Sequence, residues 1–314
     1  MEENSKRILV TGAFGQIGSE LVKSLQDLHG KDNVIAMDIN IPENFDGISE
    51  KFDILDKERL QACVVHYNIG EIYHLVSLLS ARGEQDPDLT WKINVVGLKS
   101  ILDIAVSNHI KVFWPSSIAA FGPTTPRDNT PQKTILEPTT MYGVTKVAGE
   151  LLCRYYHQKY NLDVRTIRYP GLISWKAEPG GGTTDYAVAI FYEAIKNGKY
   201  DCFVSADTVL PMMYMDDAIR GTLELMRKPQ EQLTEYKPYN FSAISFRTDE
   251  LAAEINKHLS CEVTYSPDNR QNIANSWPKS IDDSDARTDW GWQHEFDLSK
   301  MTLEMLTKLK EKLS

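Results

Sequence analysis

Apolar residues in the first half of this chain fall in short continuous runs, and stretches of helical spacing separate them. The runs predict buried strands at 7–12, 33–38, 71–76, 110–116 and 163–169. The stretches between them predict helices at 16–28, 56–66, 90–108 and 142–160. Strands alternating with helices at this spacing form βαβ units with right-handed crossovers, which build a parallel sheet. After Gly171 the alternation stops. A run of small and polar residues, Pro179-Gly180-Gly181-Gly182-Thr183-Thr184-Asp185, leads into a predicted helix from Tyr186 to about Asn197. Another helix is expected from near Asp216-Asp217, where acids suit an N-terminus, to about Met226, and a last one from about Asp297. The fold class expected is α/β, a Rossmann doubly wound parallel sheet with a smaller C-terminal lobe.

The first strand, Arg7 to Thr11, runs into Gly12-Ala13-Phe14-Gly15-Gln16-Ile17-Gly18, and the second ends on Asp38. A strand, a spaced-glycine turn, a helix and then an acid at the end of the next strand suit the adenosine half of a dinucleotide. Gly12 turns sharply off the strand, Gly15 lets backbone approach a pyrophosphate, and Gly18 allows close helix–sheet packing. The pyrophosphate would sit on the N-terminus of a helix starting near Gln16. Asp38 would accept hydrogen bonds from ribose hydroxyls and repel a 2′-phosphate, and Ile39 and Asn40 supply no arginine to receive one. The cofactor expected is NAD. The NAD-binding domain is read as 1–172, with the chain returning to it around 205–245. Residues 173–314 form mainly a substrate-binding lobe, expected to close over the cofactor, and the terminal helix.

Composition narrows the partners. The 314 residues carry a formal charge of −10, which argues against nucleic acid or an anionic membrane as the main partner. Cys63, Cys153, Cys202 and Cys261 lie far apart without metal-ligand spacing, so buried free thiols and no metal are expected. The lead-in from Met1 to Lys6 has no room for a targeting peptide, and no apolar run is long enough to span a bilayer. A cytoplasmic protein is expected.

Tyr142-Gly143-Val144-Thr145-Lys146 opens the fourth predicted helix. A Tyr and a Lys four apart share a helix face, and the ammonium is expected to lower the phenol's pKa toward working pH. A phenol so tuned can take a proton from an alcohol while hydride leaves the same carbon. Read alone, the pair could be a surface tyrosine and a solvated lysine. Pro115-Ser116-Ser117 ends the preceding strand, at the sheet end where ligands gather. Ser117 is chosen as the hydroxyl that bonds the reacting oxygen; Ser116 is left to satisfy the turn's own backbone.

Together the glycine turn, Asp38, Asp53-Ile54, His74-Leu75, Asn94-Val95, Ser117, Tyr142 and Lys146 resemble the extended short-chain dehydrogenase/reductase family, relatives of the sugar-nucleotide epimerases. The resemblance covers essentially the whole chain. It implies cofactor contacts from Phe14, Gln16, Ile17, Leu75, Tyr142, Lys146 and Tyr169 beside the three glycines, with Asp53 and Ile54 at the adenine. It also implies that Asn94 works with Lys146 in a structural and proton-relay network. Read alone, Asp53 could cap the helix of Leu55-Asp56-Lys57-Glu58, and Asn94 could be an ordinary helix polar residue. One departure is His74-Leu75-Val76-Ser77, where an alanine pair would be commoner.

Within that family the chain is most similar to the branch of short-chain-type L-threonine dehydrogenases. Leu78 to Glu84, Pro115 to Pro123, Arg168 to Ser174, Pro179 to Tyr186, Ser276-Trp277-Pro278 and Ile281 to Ser284 carry this likeness. It implies NAD-dependent oxidation of the 3-hydroxyl of L-threonine to 2-amino-3-oxobutyrate. Substrate contacts are then expected from Ser80, Ser117, Tyr142, Gly182, Thr183, Thr184, Asp185 and Trp277. Backbone N–H groups and the Thr183 and Thr184 hydroxyls suit the substrate carboxylate, and Asp185 suits its ammonium. Asp185 could instead cap the following helix, and Trp277 could pack the lobe or lie exposed at an interface. The resemblance further implies a homodimer through a four-helix bundle. Ile93, Val96, Gly97 and Ile101 would meet Val147, Leu151 and Tyr155 across a two-fold axis; the alternative is that both faces cover the sheet.

Two other functions fit parts of the sequence. A sugar-nucleotide epimerase or dehydratase would need basic residues for a diphosphate, but Val209 to Asp217 is apolar where a clamp is expected. A non-catalytic NAD-binding scaffold would have no use for an intact Ser117, Tyr142 and Lys146.

Overall fold

The computed structural model describes residues 6–233 and 235–313. Apart from Lys6, the lead-in from Met1 lies outside them. The elements in chain order are β1 (Arg7–Thr11), α1 (Gly18–His29), β2 (Val34–Asp38), β3 (Ile48–Lys51), α2 (Lys57–His66), β4 (Ile69–His74), α3 (Ser80–Gln85), α4 (Pro87–Trp91), α5 (Leu98–Asn108), β5 (Lys111–Ser117), α6 (Met141–Tyr160) and β6 (Val164–Tyr169). There follow β7 (Gly171–Ile173), α7 (Tyr186–Asn197), β8 (Lys199–Cys202), β9 (Val209–Tyr214), α8 (Met215–Arg227), β10 (Pro238–Asn240), β11 (Ile244–Arg247), α9 (Thr248–Asn256), β12 (Glu262–Tyr265), α10 (Arg270–Ser276), α11 (Ser284–Trp290) and α12 (Leu298–Leu313).

Seven strands form the main sheet in the order β10-β6-β5-β4-β1-β2-β3. The pairings from β5 through β4, β1 and β2 to β3 are parallel. The strand order reverses between β1 and β4, the position where doubly wound sheets leave a crevice for ligands. The short strand β3, Ile-Ser-Glu-Lys, pairs through Asp38 and Lys51 but has no apolar alternation, so its pattern does not announce it.

The chain divides into two compact units. One comprises the chain up to Ser116, Thr145–Ile167 and Leu225–Pro238; the other comprises Ser117–Val144, Arg168–Glu224 and the chain from Tyr239 onward. The core of the first packs Leu9, Ile35, Ile72, Val112 and Trp114 of the sheet with Leu60, Leu98, Ile101 and Leu102 from helices. Each such buried aliphatic contributes roughly 1.5–3 kcal/mol. The second unit has its own core, in which Tyr186, Ile190 and Phe191 of α7 pack with Leu210 and Met212 of β9 and Met305 and Leu309 of α12. All four cysteines are buried and free.

The predicted helix at 90–108 is composite. Its first part, α4, starts at a proline and is capped by Asp86, which accepts from Leu89 N at 3.0 Å. A wider, π-helical turn over Lys92–Gly97 then joins α4 to α5. On the expected pairing faces, Gly97 and Ile101 are buried within the unit. Val96, Leu151 and Tyr155 stand 45%, 57% and 48% exposed, joined by Trp91.

Candidate active site

The cofactor cradle lies in the first unit. Gly12 has φ +72°, and a Cβ there would fall 2.9 Å from Val76 N. The β1 turn therefore runs against the backbone leaving β4, where Leu75 N donates to Thr11 O at 2.9 Å. A Cβ on Gly18 would lie 2.1 Å from Gly12 O, so the helix can start this close to the turn only as glycine. Gly15 N donates to Gly12 O at 3.2 Å, which holds the loop closed. The helix begins at Gly18 with Ile17 before it, so Gln16 belongs to the exposed turn and not to the helix.

Asp38 is fixed by backbone. Its Oδ2 accepts from Phe14 N at 3.1 Å, and its Oδ1 accepts from Ile39 N at 2.7 Å and Asn40 N at 3.3 Å. The carboxylate thus ties the glycine turn to the end of β2. Asp53 does not cap α2: its Oδ1 accepts from Leu55 N at 2.9 Å, and Asp56 caps by accepting from Arg59 N at 3.0 Å. Ile54 is buried in the core, close against the backbone of Gly97. The glycines that a Cβ would clash with and the oriented Asp38 fit a dinucleotide pyrophosphate and ribose. Among the described residues no group of three or more His, Cys, Asp or Glu side chains could hold a metal.

Asn94, on the π-helical turn, is buried. Its Oδ1 accepts from Leu78 N at 2.8 Å, and its Nδ2 donates to Leu78 O and to Thr145 Oγ1, both at 3.0 Å. It therefore clamps the segment after β4 to the residue preceding Lys146. Lys146 Nζ donates to Pro115 O at 2.7 Å, and burial pulls its pKa down to about 7. His74, buried at the end of β4, pairs its Nδ1 with Thr11 Oγ1 at 2.7 Å, and its Nε2 has no hydrogen-bond partner. Burial, with the charge of Lys146, pushes its pKa down to about 3. Ser80, at the start of α3, is also buried.

Ser117 and Tyr142 lie in the second unit. Their side chains are hydrogen-bonded, and Ser117 Oγ also accepts from Ala119 N at 3.2 Å. Ser117 therefore serves the turn as well as the tyrosine. Ser116 does not serve the turn; its hydroxyl donates to Glu150 Oε1 at 2.6 Å in the first unit. Gly143 is needed here, because a Cβ would lie 2.3 Å from Ala119 O. The expected lowering of the Tyr142 pKa is not seen. Burial pushes the phenol up to about 12, against the opposing bond from Ser117.

In the glycine-rich run, Asp185 is not a side-chain cap for α7. Its Oδ2 accepts from Gly182 N at 2.8 Å and folds the loop back on itself. Thr183 is buried, and the Thr184 side chain lies over Gly171, where an added Cβ would meet it at 2.8 Å. Trp277 is buried in the core of this unit and is not an exposed interface residue. Tyr169 bonds Thr222 through its hydroxyl and packs on Phe241, so its side chain is committed to that core. Glu150 is not among the expected site residues; the signal for it in the sequence is a carboxylate four residues after Lys146, on the same face of the helix.

Comparison with known proteins places this architecture. Residues 8–241 match the model of the NAD dependent epimerase/dehydratase family. The mitochondrial L-threonine 3-dehydrogenase of Bos taurus is 49% identical over 310 residues, 97% of this chain and 83% of that protein. The solved structure of a monomeric L-threonine 3-dehydrogenase from a metagenome superposes with a TM-score of 0.96 at 51% identity, covering 98% of this chain and all (100%) of that one. The holo form of an L-threonine dehydrogenase from Cupriavidus necator superposes at 0.94 with 48% identity, covering 96% and 99%.

Proposed function

We infer the activity from a premise that the comparisons supply: this chain belongs to the NAD-dependent epimerase/dehydratase family. Its identity with L-threonine 3-dehydrogenases extends along almost its whole length. It is an NAD-dependent oxidoreductase that converts the 3-hydroxyl of L-threonine to the ketone of 2-amino-3-oxobutyrate. The observation that carries the reading is the Ser117–Tyr142 hydroxyl pair, with Lys146 one turn further along the same helix.

Bound NAD supplies the hydride acceptor and a positively charged ring. The turn from Gly12 to Gly18, with Phe14, Gln16 and Ile17, holds the pyrophosphate, and Asp38 holds the adenosine ribose. Asp53, Ile54, Leu75 and Tyr169 line the cofactor, the buried Ile54 and Tyr169 through their backbones. Ser117 orients the substrate hydroxyl, and Tyr142 takes its proton as the carbon is oxidised. Since burial holds the phenol at about 12 even against the bond from Ser117, Tyr142 needs a cation nearby, and Lys146 provides it while it holds the nicotinamide ribose. Asn94 keeps the start of this helix in place. Thr184, Thr183, Ser80 and Trp277 shape the threonine site, and Asp185 meets the substrate ammonium while bracing the loop at Gly182.

The location proposed is the cytoplasm; no helix among the described residues is long and apolar enough to cross a membrane. It pairs as a homodimer through the exposed Val96, Leu151 and Tyr155. A monomer by light scattering at micromolar concentration would refute that pairing. The activity is tested by mixing the protein with NAD and L-threonine and following nicotinamide absorbance. Reduction of NAD with threonine, and no epimerisation of UDP-sugars, is expected. The reverse pattern would overturn the reading.

A further inference from the structure

Two neighbouring residues of β5 pin two successive turns of α6. Lys146 Nζ donates to Pro115 O at 2.7 Å and lies 4.8 Å from the centroid of the Trp114 ring. That ring has room because residue 149 is glycine; a Cβ there would fall 2.2 Å from Trp114 Cη2. One helical turn beyond Lys146, Glu150 is also buried, and its Oε1 accepts from Ser116 Oγ at 2.6 Å. A buried carboxylate costs several kcal/mol unless opposite charge and hydrogen bonds compensate it. The other titratable groups acting on this pocket carry no charge near neutrality. His74, from β4, has its pKa pushed down to about 3, and Cys153, the next turn of α6, has its thiol pushed up to about 12. Tyr236, which interacts with both Cys153 and Glu150, is pushed by burial well above the usual phenol range. Tyr142 occupies the preceding turn of the helix and is neutral at the same pH.

We propose that Glu150 is a positioning residue for the reaction: its carboxylate, fixed by Ser116, keeps Lys146 protonated over the pH range in which Tyr142 must accept a proton. The inference rests on the roles given above to Tyr142 and Lys146. Burial pulls Lys146 down to about 7, and the charge of Glu150 opposes that pull. Without it the amine loses its proton at lower pH, and the tyrosine loses its cation.

The test is Glu150→Gln, which keeps the shape and a hydrogen-bond acceptor but removes the charge. With 15N-lysine labelling, and Lys146→Arg to assign the signal, the Lys146 amine is expected to titrate about one unit or more lower in the Gln variant. The alkaline limb of its kcat/KM profile should move by a similar amount, and Glu150→Asp should restore much of it. If Glu150→Gln does not fold, Ser116→Ala is the substitute. Without the Ser116 hydroxyl the carboxylate is no longer held in place one turn from Lys146, so the same shift is expected in smaller size. An unmoved Lys146 titration, whatever happens to turnover, overturns the proposal. A parent protein that shows the shift on substitution but does not oxidise threonine would sink the substrate assignment and leave this inference standing.

Discussion

Replacing Asp38 by alanine tests the cofactor site at its most specific atom pair. The carboxylate has about four acceptor positions, and backbone N–H groups of Phe14, Ile39 and Asn40 already occupy three of them. Oδ2 keeps one position for a ribose hydroxyl. Oδ1 can take a second by giving up its long 3.3 Å contact with Asn40 N. Hydrogen bonds to a charged group are worth ~1.5–3 kcal/mol each. Losing one therefore weakens NAD binding by on the order of 10–100-fold, and losing both by more. The substitution also frees three N–H donors that converge on the vacated position, a ready receptor for a 2′-phosphate. NADP binding should accordingly improve while NAD binding falls. Fluorescence titration with NADH and NADPH measures both affinities, and kcat/KM with each oxidised cofactor measures the consequence. Asp38→Asn, isosteric but uncharged, should fall between. Unchanged NAD affinity in Asp38→Ala, or equal use of both cofactors by the parent, would refute the reasoning.

Tyr142→Phe removes the base and should cost on the order of 10²–10⁴-fold in kcat with little change in NAD binding; turnover at the parental rate would contradict its role. Thr184→Ala should lower kcat/KM for threonine far more than it changes NADH affinity, and an unaltered kcat/KM would reduce the glycine-rich run to a linker. His74 sets a stability slope. Its folded pKa of about 3 lies below the unfolded value near 6.5, so between these the unfolded chain binds more protons. Stability is then lost as pH falls from 6.5 toward 3, at up to ~1.4 kcal/mol per unit. Denaturant titrations at pH 7 and pH 5 should show a shallower loss in His74→Gln, and an equal slope would show that His74 does not titrate with unfolding.

What the sequence determined by itself is local. Alternating apolar runs and helical stretches specified a parallel doubly wound sheet, because burial on both faces requires continuous apolar strands. The spaced glycines marked the turn because their missing Cβ atoms are read in the sequence, whichever backbone they touch. The start and end of α7, Tyr186–Asn197, were equally plain, since Gly198 ends it in a left-handed conformation. Tertiary structure decided what depends on distant partners. Strand β3 exists because Asp38 and its neighbours offer a sheet edge, not because Ile48–Lys51 favours a strand. The π-helical turn over Lys92–Gly97 accompanies an Asn94 that must reach both Leu78 and Thr145. Ser116 and Ser117 look interchangeable in sequence, yet strand alternation sends one to Glu150 and the other toward Tyr142. The lowering of the Tyr142 pKa expected from its spacing to Lys146 is not seen, because burial, a property of the packed chain, outweighs the opposing bond from Ser117. Residues 117–144 share a core with segments more than a hundred positions later, through pairings such as Thr130 with Ile281. Side-chain spacing carries no record of such distant contacts, and only the folded chain brings them together.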